Sequence, residues 1–167
     1  MHDELTKVDI KKMQEEIDYR VKELTPKLKE ELSKARAQGD LSENFEYKSS
    51  KRELSRNYSR INYLQRMIAT AVVVDLDSEK DKIGLFDKVR LYIEEDDEDM
   101  DIVIVTTLRQ DSTNGFVSKE SPLGKAVFGK STGDRVLVKV NDSYSYYAVI
   151  KSIEKGKDDE SLAISPF

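Results

Sequence analysis

With 167 residues the chain has room for one large domain or two small ones, and 37% charged against 38% hydrophobic residues is polar for a single globule. It has no cysteine, which excludes disulfides, thiolate metal sites and cysteine nucleophiles; its one histidine, His2, reads as a terminal residue, which makes serine–histidine catalysis improbable. The net charge of -5 implies no bulk attraction to nucleic acid, the N-terminal stretch lacks the apolar centre of a signal peptide, and no run would span a membrane, so a soluble cytoplasmic protein is expected.

The first element is a long helix. Ile10, Met13, Ile17, Val21, Leu24, Leu28, Leu32 and Ala35 follow one another in steps of three and four. Ile10, Val21 and Leu32 are equivalent in an eleven-residue repeat, which predicts a nearly straight or slightly right-handed pairing. Pro26 removes one backbone hydrogen bond and predicts a bend near Thr25 with the phase kept. Gly39 ends this arm as a left-handed cap.

A second helix follows from about Ser42 to Thr70. Tyr47, Leu54, Ile61 and Ile68 fall seven apart, with Tyr58 and Leu64 on the same face. At about 1.5 Å per residue this arm is roughly 40 Å long. Two such arms joined by a short turn make an antiparallel coiled-coil hairpin, too thin to enclose a pocket and shaped like a probe. Its other face carries Lys48, Arg52, Arg56 and Arg60 at four-residue spacing. From Lys48 to Arg66 six bases meet one acid, Glu53, a local charge of +5. That face is either a solvated helix surface or a contact for a phosphate backbone.

The turn between the arms holds Asp40, Glu43 and Glu46. Asp40 as N-cap with Glu43 three residues on would make a capping box, and both acids suit a helix N-terminus. The other reading is chemical. Glu46 is not needed by such a cap, and carboxylates at the end of a rigid arm are suited to entering another molecule's site. Magnesium accepts one or two carboxylates and completes its shell from water and a partner.

After Ala71 the period falls to two. Strands are expected at Val72–Asp75, Lys88–Ile93, Ile102–Thr107, Arg135–Val140, Ser145–Ile153 and Ala163–Ser165. Glu94–Asp101 holds seven acids in eight residues and reads as a solvated hairpin tip, with a metal site as the weaker alternative. Ser121–Gly129, with a cap, a proline and a closing glycine, reads as one short helix, and Thr132-Gly133-Asp134 as a turn. The fold class is therefore α+β: a hairpin over residues 1–75 with its acidic tip at 39–46, then a small antiparallel sheet domain with one short helix over 76–167.

Two segments carry a resemblance. Ala35-Arg36-Ala37-Gln38-Gly39-Asp40-Leu41-Ser42-Glu43-Asn44-Phe45-Glu46-Tyr47 resembles the tip signature of the bacterial GreA/GreB transcription elongation factors. Ser118–Lys130 with Gly133-Asp134 resembles their second signature. The resemblance covers nearly the whole chain. It implies a coiled-coil hairpin and an FKBP-like C-terminal domain, acting as a monomer on backtracked RNA polymerase with its nascent RNA and DNA. The C-terminal domain would dock at the rim of the secondary channel through the region matching Ser121 and Pro122. The hairpin would carry Asp40 and Glu43 to the active site, where they help hold a Mg2+ ion shared with the polymerase and position water. The polymerase then cleaves its own transcript, so the factor is an accessory and not itself an enzyme. The basic face of Lys48, Arg52, Arg56 and Arg60 would lie beside the extruded RNA 3′ segment. Two departures stand out: Phe45 replaces a small residue and Lys48 stands where histidine is common. Phe45 is expected to pack within the tip, with a base or the polymerase as its alternative contacts. Other readings of the chain are a secondary-channel inhibitor of the same fold, a prolyl isomerase and a passive coiled-coil adaptor.

Overall fold

A computed structural model of the chain describes residues 2–39, 44–75, 79–158 and 160–166. They form two compact units. A helical unit spans Ile10–Ala71, and a sheet unit takes in Val72–Pro166 together with the described residues up to Asp9. Beside the two consecutive blocks expected from sequence, 1–75 and 76–167, the difference is that the described residues up to Asp9 group with the sheet unit. The reason is a strand too short to show a period: β1 (Glu4–Leu5) pairs in parallel with β2 (Val72–Val73), which holds the first residues to the sheet unit.

In the helical unit, α1 (Lys7–Tyr19) runs into a π-helical segment (Arg20–Leu24) and then α2 (Thr25–Arg36). The helix α3 (Phe45–Thr70) returns beside them. The arms are antiparallel: Ala35 meets Asn44, Arg20 meets Asn57, and Glu16 meets Arg60, one number rising as the other falls. The bend expected at Pro26 takes the form of the π segment, in which the Thr25 N–H donates to the Arg20 carbonyl. Because the wider turn absorbs an extra residue, the phase is not kept. Val21, assigned to the seam by the eleven-residue repeat, is 51% exposed, whereas Thr25 is buried. In an uninterrupted α-helix Thr25 would lie about 80° around from Ile17. The inner positions of the first arm are Met13, Ile17, Thr25, Leu32 and Ala35; those of α3 are Asn57, Arg60, Ile61 and Leu64.

The sheet unit is a five-stranded sheet with strand order β5-β4-β3-β7-β6. These strands are β3 (Lys88–Ile93), β4 (Glu98–Val105), β5 (Phe116–Ser118), β6 (Arg135–Lys139) and β7 (Ser145–Glu154). The helix α4 (Pro122–Val127) lies between β5 and β6 in sequence. Alternation puts Val89, Leu91, Ile102, Ile104, Val136, Val138, Ala148 and Ile150 in one core, with Val127 of α4. Three of the sheet's pairings are antiparallel; the fourth, β4 with β5, is parallel. Strand β5 has three residues and leaves no periodic signal. Residues 163–165 are not a strand; there the Ser165 N–H donates to the Leu108 carbonyl.

The acidic run divides. Residues 94–97 turn, and the acids from Glu98 on lie in β4. Bases on other strands of the sheet answer several of these acids. Arg135 donates twice to Glu94, Arg90 twice to Asp101, and Lys151 binds Asp99. The bound guanidinium of Arg135 lowers the Glu94 pKa, and that of Arg90 lowers the Asp101 pKa. Among the described residues no cluster of acids and histidines is arranged to hold a metal ion.

Candidate nucleic-acid interface on the helical hairpin

The start of α3 is fixed by one side chain. Asn44, in extended conformation, accepts the Tyr47 N–H through Oδ1 at 3.0 Å and caps the helix. Its Nδ2 donates to the Ala35 carbonyl at 2.7 Å, binding the beginning of one arm to the end of the other. Tyr47 adds a second link, with the Arg36 guanidinium 5.7 Å from its ring centroid. Asn44 thus fills the N-cap position of α3, and the cap expected at Asp40 falls on residues outside those described. Gly39 has φ of +125°, the positive value that its role in the turn requires. Asp40 and Glu43 lie outside the described residues.

The neighbours of the cap point in different directions. Glu46 lines an open recess of about 390 Å3 with Glu31, Lys34, Ser49 and Ser50. Along α2 a hydrogen bond from Lys34, aided by its charge, lowers the Glu30 pKa. Phe45 is 87% exposed. The expected packing within the tip is corrected: the first position of α3 faces water.

Along α3, Lys48, Lys51, Arg52 and Arg56 are exposed, and Arg56 is 3.7 Å from Glu53. Arg60 does not continue this face. It is 3% exposed and donates from Nε and Nη2 to the Glu16 carboxylate at 2.7 and 3.2 Å. Its guanidinium also lies 5.6 Å from the Tyr63 ring centroid. The geometry explains the correction. A four-residue step overshoots a 3.6-residue turn by about 40°, so Lys48 and Arg60 are about 120° apart around the helix. Around Arg60 runs a polar seam that sequence reading missed. Arg20 donates to Asn57 Oδ1, and Asn57 donates to the Thr25 hydroxyl. The signal was Asn57 and Thr25 standing among apolar positions.

In the sheet unit, Ser121 caps α4: its hydroxyl accepts from the Gly124 N–H and donates to the Ser118 carbonyl. Pro122 is exposed. Gly124 permits this seat, because a Cβ there would lie 1.9 Å from the Ser118 carbonyl oxygen. A hollow of about 310 Å3 nearby is lined by Val74, Ile83, Leu85 and Phe128, with the Lys119–Glu4 ion pair among its walls.

Comparison with known proteins decides the family. Residues 4–73 match the family described as transcription elongation factor, N-terminal, and residues 78–155 match transcription elongation factor, GreA/GreB, C-term. The chain belongs to the GreA/GreB family. The transcription elongation factor GreA of Chloroherpeton thalassium is 35% identical over 147 residues, covering 87% of this chain and 93% of that protein. The GreA of Thermoanaerobacter pseudethanolicus is 38% identical over 137 residues, covering 81% and 87%. A solved structure of GreA factor homolog 1 from Thermus thermophilus is 21% identical, with a TM-score of 0.43 over 93% of this chain and 100% of that one. No helix among the described residues of this GreA/GreB protein is long and apolar enough to cross a membrane.

Proposed function

We propose that the chain is a cytoplasmic transcript-cleavage factor that enters the secondary channel of bacterial RNA polymerase and stimulates cleavage of the nascent RNA in backtracked complexes. The observation that carries this reading is the cap at Asn44. Asn44 itself fills the N-cap position of α3, within the segment that carries the family's tip motif. Carboxylates are the hard oxygen donors that Mg2+ takes, and two of them leave most of its shell to water and to the polymerase. Asp40 and Glu43 would hold that shared ion, which when bound supplies Lewis-acid charge and a more acidic water. The chain's own residues would do the rest. Asn44 and Tyr47 fix the tip, the two arms carry it, and exposed Lys48, Arg52 and Arg56 face the RNA backbone. Ser121 shapes the α4 end, where Pro122 is presented for docking on the polymerase rim.

A prolyl isomerase needs an aromatic-walled pocket, and among the described residues that line the hollow beside α4 there is one ring, Phe128. The test is cleavage of RNA in halted complexes by Asp40→Ala and Glu43→Ala. Both are expected to lose stimulated cleavage while still competing with the wild type for polymerase. Normal cleavage by both variants would reduce the acids to structural residues. Shortened run-off without cleavage would favour the channel inhibitor.

A further inference from the structure

Phe45 is an apolar ring in water at the end of an arm, 87% exposed and far more so than any other large apolar side chain described. It is not isolated on its face. Arg52 and Arg56 lie seven and eleven residues further along α3, each within about 20° of Phe45 around the helix axis. Lys48 lies about 60° to one side of that line. All three bases are exposed. Asn44, hydrogen-bonded to both Tyr47 and Ala35, holds the helix turn from which the ring projects.

A ring at one end of a line of cations is the pattern that binds single-stranded nucleic acid. The cations follow the phosphates, and the ring takes a base by its π face regardless of sequence. We propose that Phe45 stacks on an unpaired base of the RNA 3′ segment and heads a track that Arg52 and Arg56 continue. The occupant is RNA and not a protein surface, because the ring shares its face with positive charge on a chain of net charge -5. This inference rests on the transcript-cleavage reading. Within that reading it makes Phe45 a substrate-contacting residue that favours base-bearing 3′ segments.

The experiment uses halted, backtracked complexes of bacterial polymerase whose extruded RNA nucleotides carry either normal bases or abasic riboses. Wild type, Phe45→Leu and Phe45→Tyr are titrated, and half-saturation for cleavage is read. Leucine keeps an apolar side chain without a π face; tyrosine keeps the π face. The wild type and Phe45→Tyr are expected to reach half-saturation at about fivefold lower concentration on base-bearing RNA than on abasic RNA, from the lower end of base–aromatic stacking. Phe45→Leu is expected to show no such preference. Equal preference in wild type and Phe45→Leu, with cleavage intact, would overturn the stacking while leaving the cleavage function standing. An equal weakening of Phe45→Leu on both RNAs would assign the ring to a polymerase contact and also overturn it. Absence of cleavage by the wild type would remove the function itself, and this inference with it.

Discussion

Replacing Arg60 by alanine is predicted to destabilise the hairpin, whereas replacing Arg52 or Arg56 is not. Arg60 is 3% exposed and makes two charge-assisted hydrogen bonds to Glu16. A bond of this kind contributes about 1.5–3 kcal/mol, and breaking a buried ion pair costs about 3–5 kcal/mol. The full cost does not apply here. The Glu16 side chain keeps 25% of its exposure, and Arg20 stands 3.4 Å from it as a second cation. The expected loss is therefore about 2–3 kcal/mol, measured by urea unfolding followed through the helical circular dichroism. Arg52→Ala and Arg56→Ala, both at exposed positions, should stay within about 0.5 kcal/mol of wild type. A double-mutant cycle with Glu16→Gln should recover a coupling of about 1–2 kcal/mol. RNA crosslinking should divide the same residues in the opposite way, falling with the pair Arg52→Glu and Arg56→Glu. If Arg60→Ala were as stable as wild type and Arg60→Glu lost crosslinking as Arg52→Glu does, Arg60 would belong to the outer face and the buried seam would be wrong.

Three further outcomes follow from single contacts. Asn44→Ala removes the cap of α3 and the bond to Ala35, and should cost about 1–2 kcal/mol of hairpin stability in the same melt, with Asn44→Asp keeping the cap but not the donor. Gly124→Ala places a methyl against the Ser118 carbonyl, so α4 or β5 must move; a loss of about 1–3 kcal/mol in the sheet unit is expected, together with weaker polymerase binding near Pro122. Tyr144 donates to Glu95, and that hydrogen bond, with burial and the carboxylate's charge adding to it, pushes its phenol up to about 12. A raised folded-state value stabilises the neutral form, so this contribution is present below the ordinary tyrosine value of 10.0 and is lost as pH rises through about 12. Tyrosinate absorbance should show this late titration, and Glu95→Gln should bring it back toward 10.0.

Long repetition was legible in the sequence. Both arms follow from three-and-four spacing, and Lys88–Ile93 agrees with its strand residue for residue because the apolar Val89, Leu91 and Ile93 alternate with Lys88, Arg90 and Tyr92 there. The short elements were not legible, since β1 and β5 exist through partners distant in the chain and have too few residues to show a period. Pro26 announced a disturbance, but its form depended on a turn of helix that precedes it. At the candidate site, the charge of α3 was readable and its division was not. A four-residue spacing looks like one face over two steps and becomes two faces over three, and the half-buried acid that claims Arg60 lies on the other arm. Asn44 was hidden by two acids that satisfy the same capping rule upstream.

The most direct test of a cleavage role is a halted, backtracked polymerase complex with labelled RNA, incubated with and without the wild-type chain and then supplied with nucleotides. A transcript-cleavage factor predicts a shortened RNA that retains its 5′ end, and extension of that new 3′ end to full length. RNA that stays uncut, or run-off that falls when the chain is added, would contradict it.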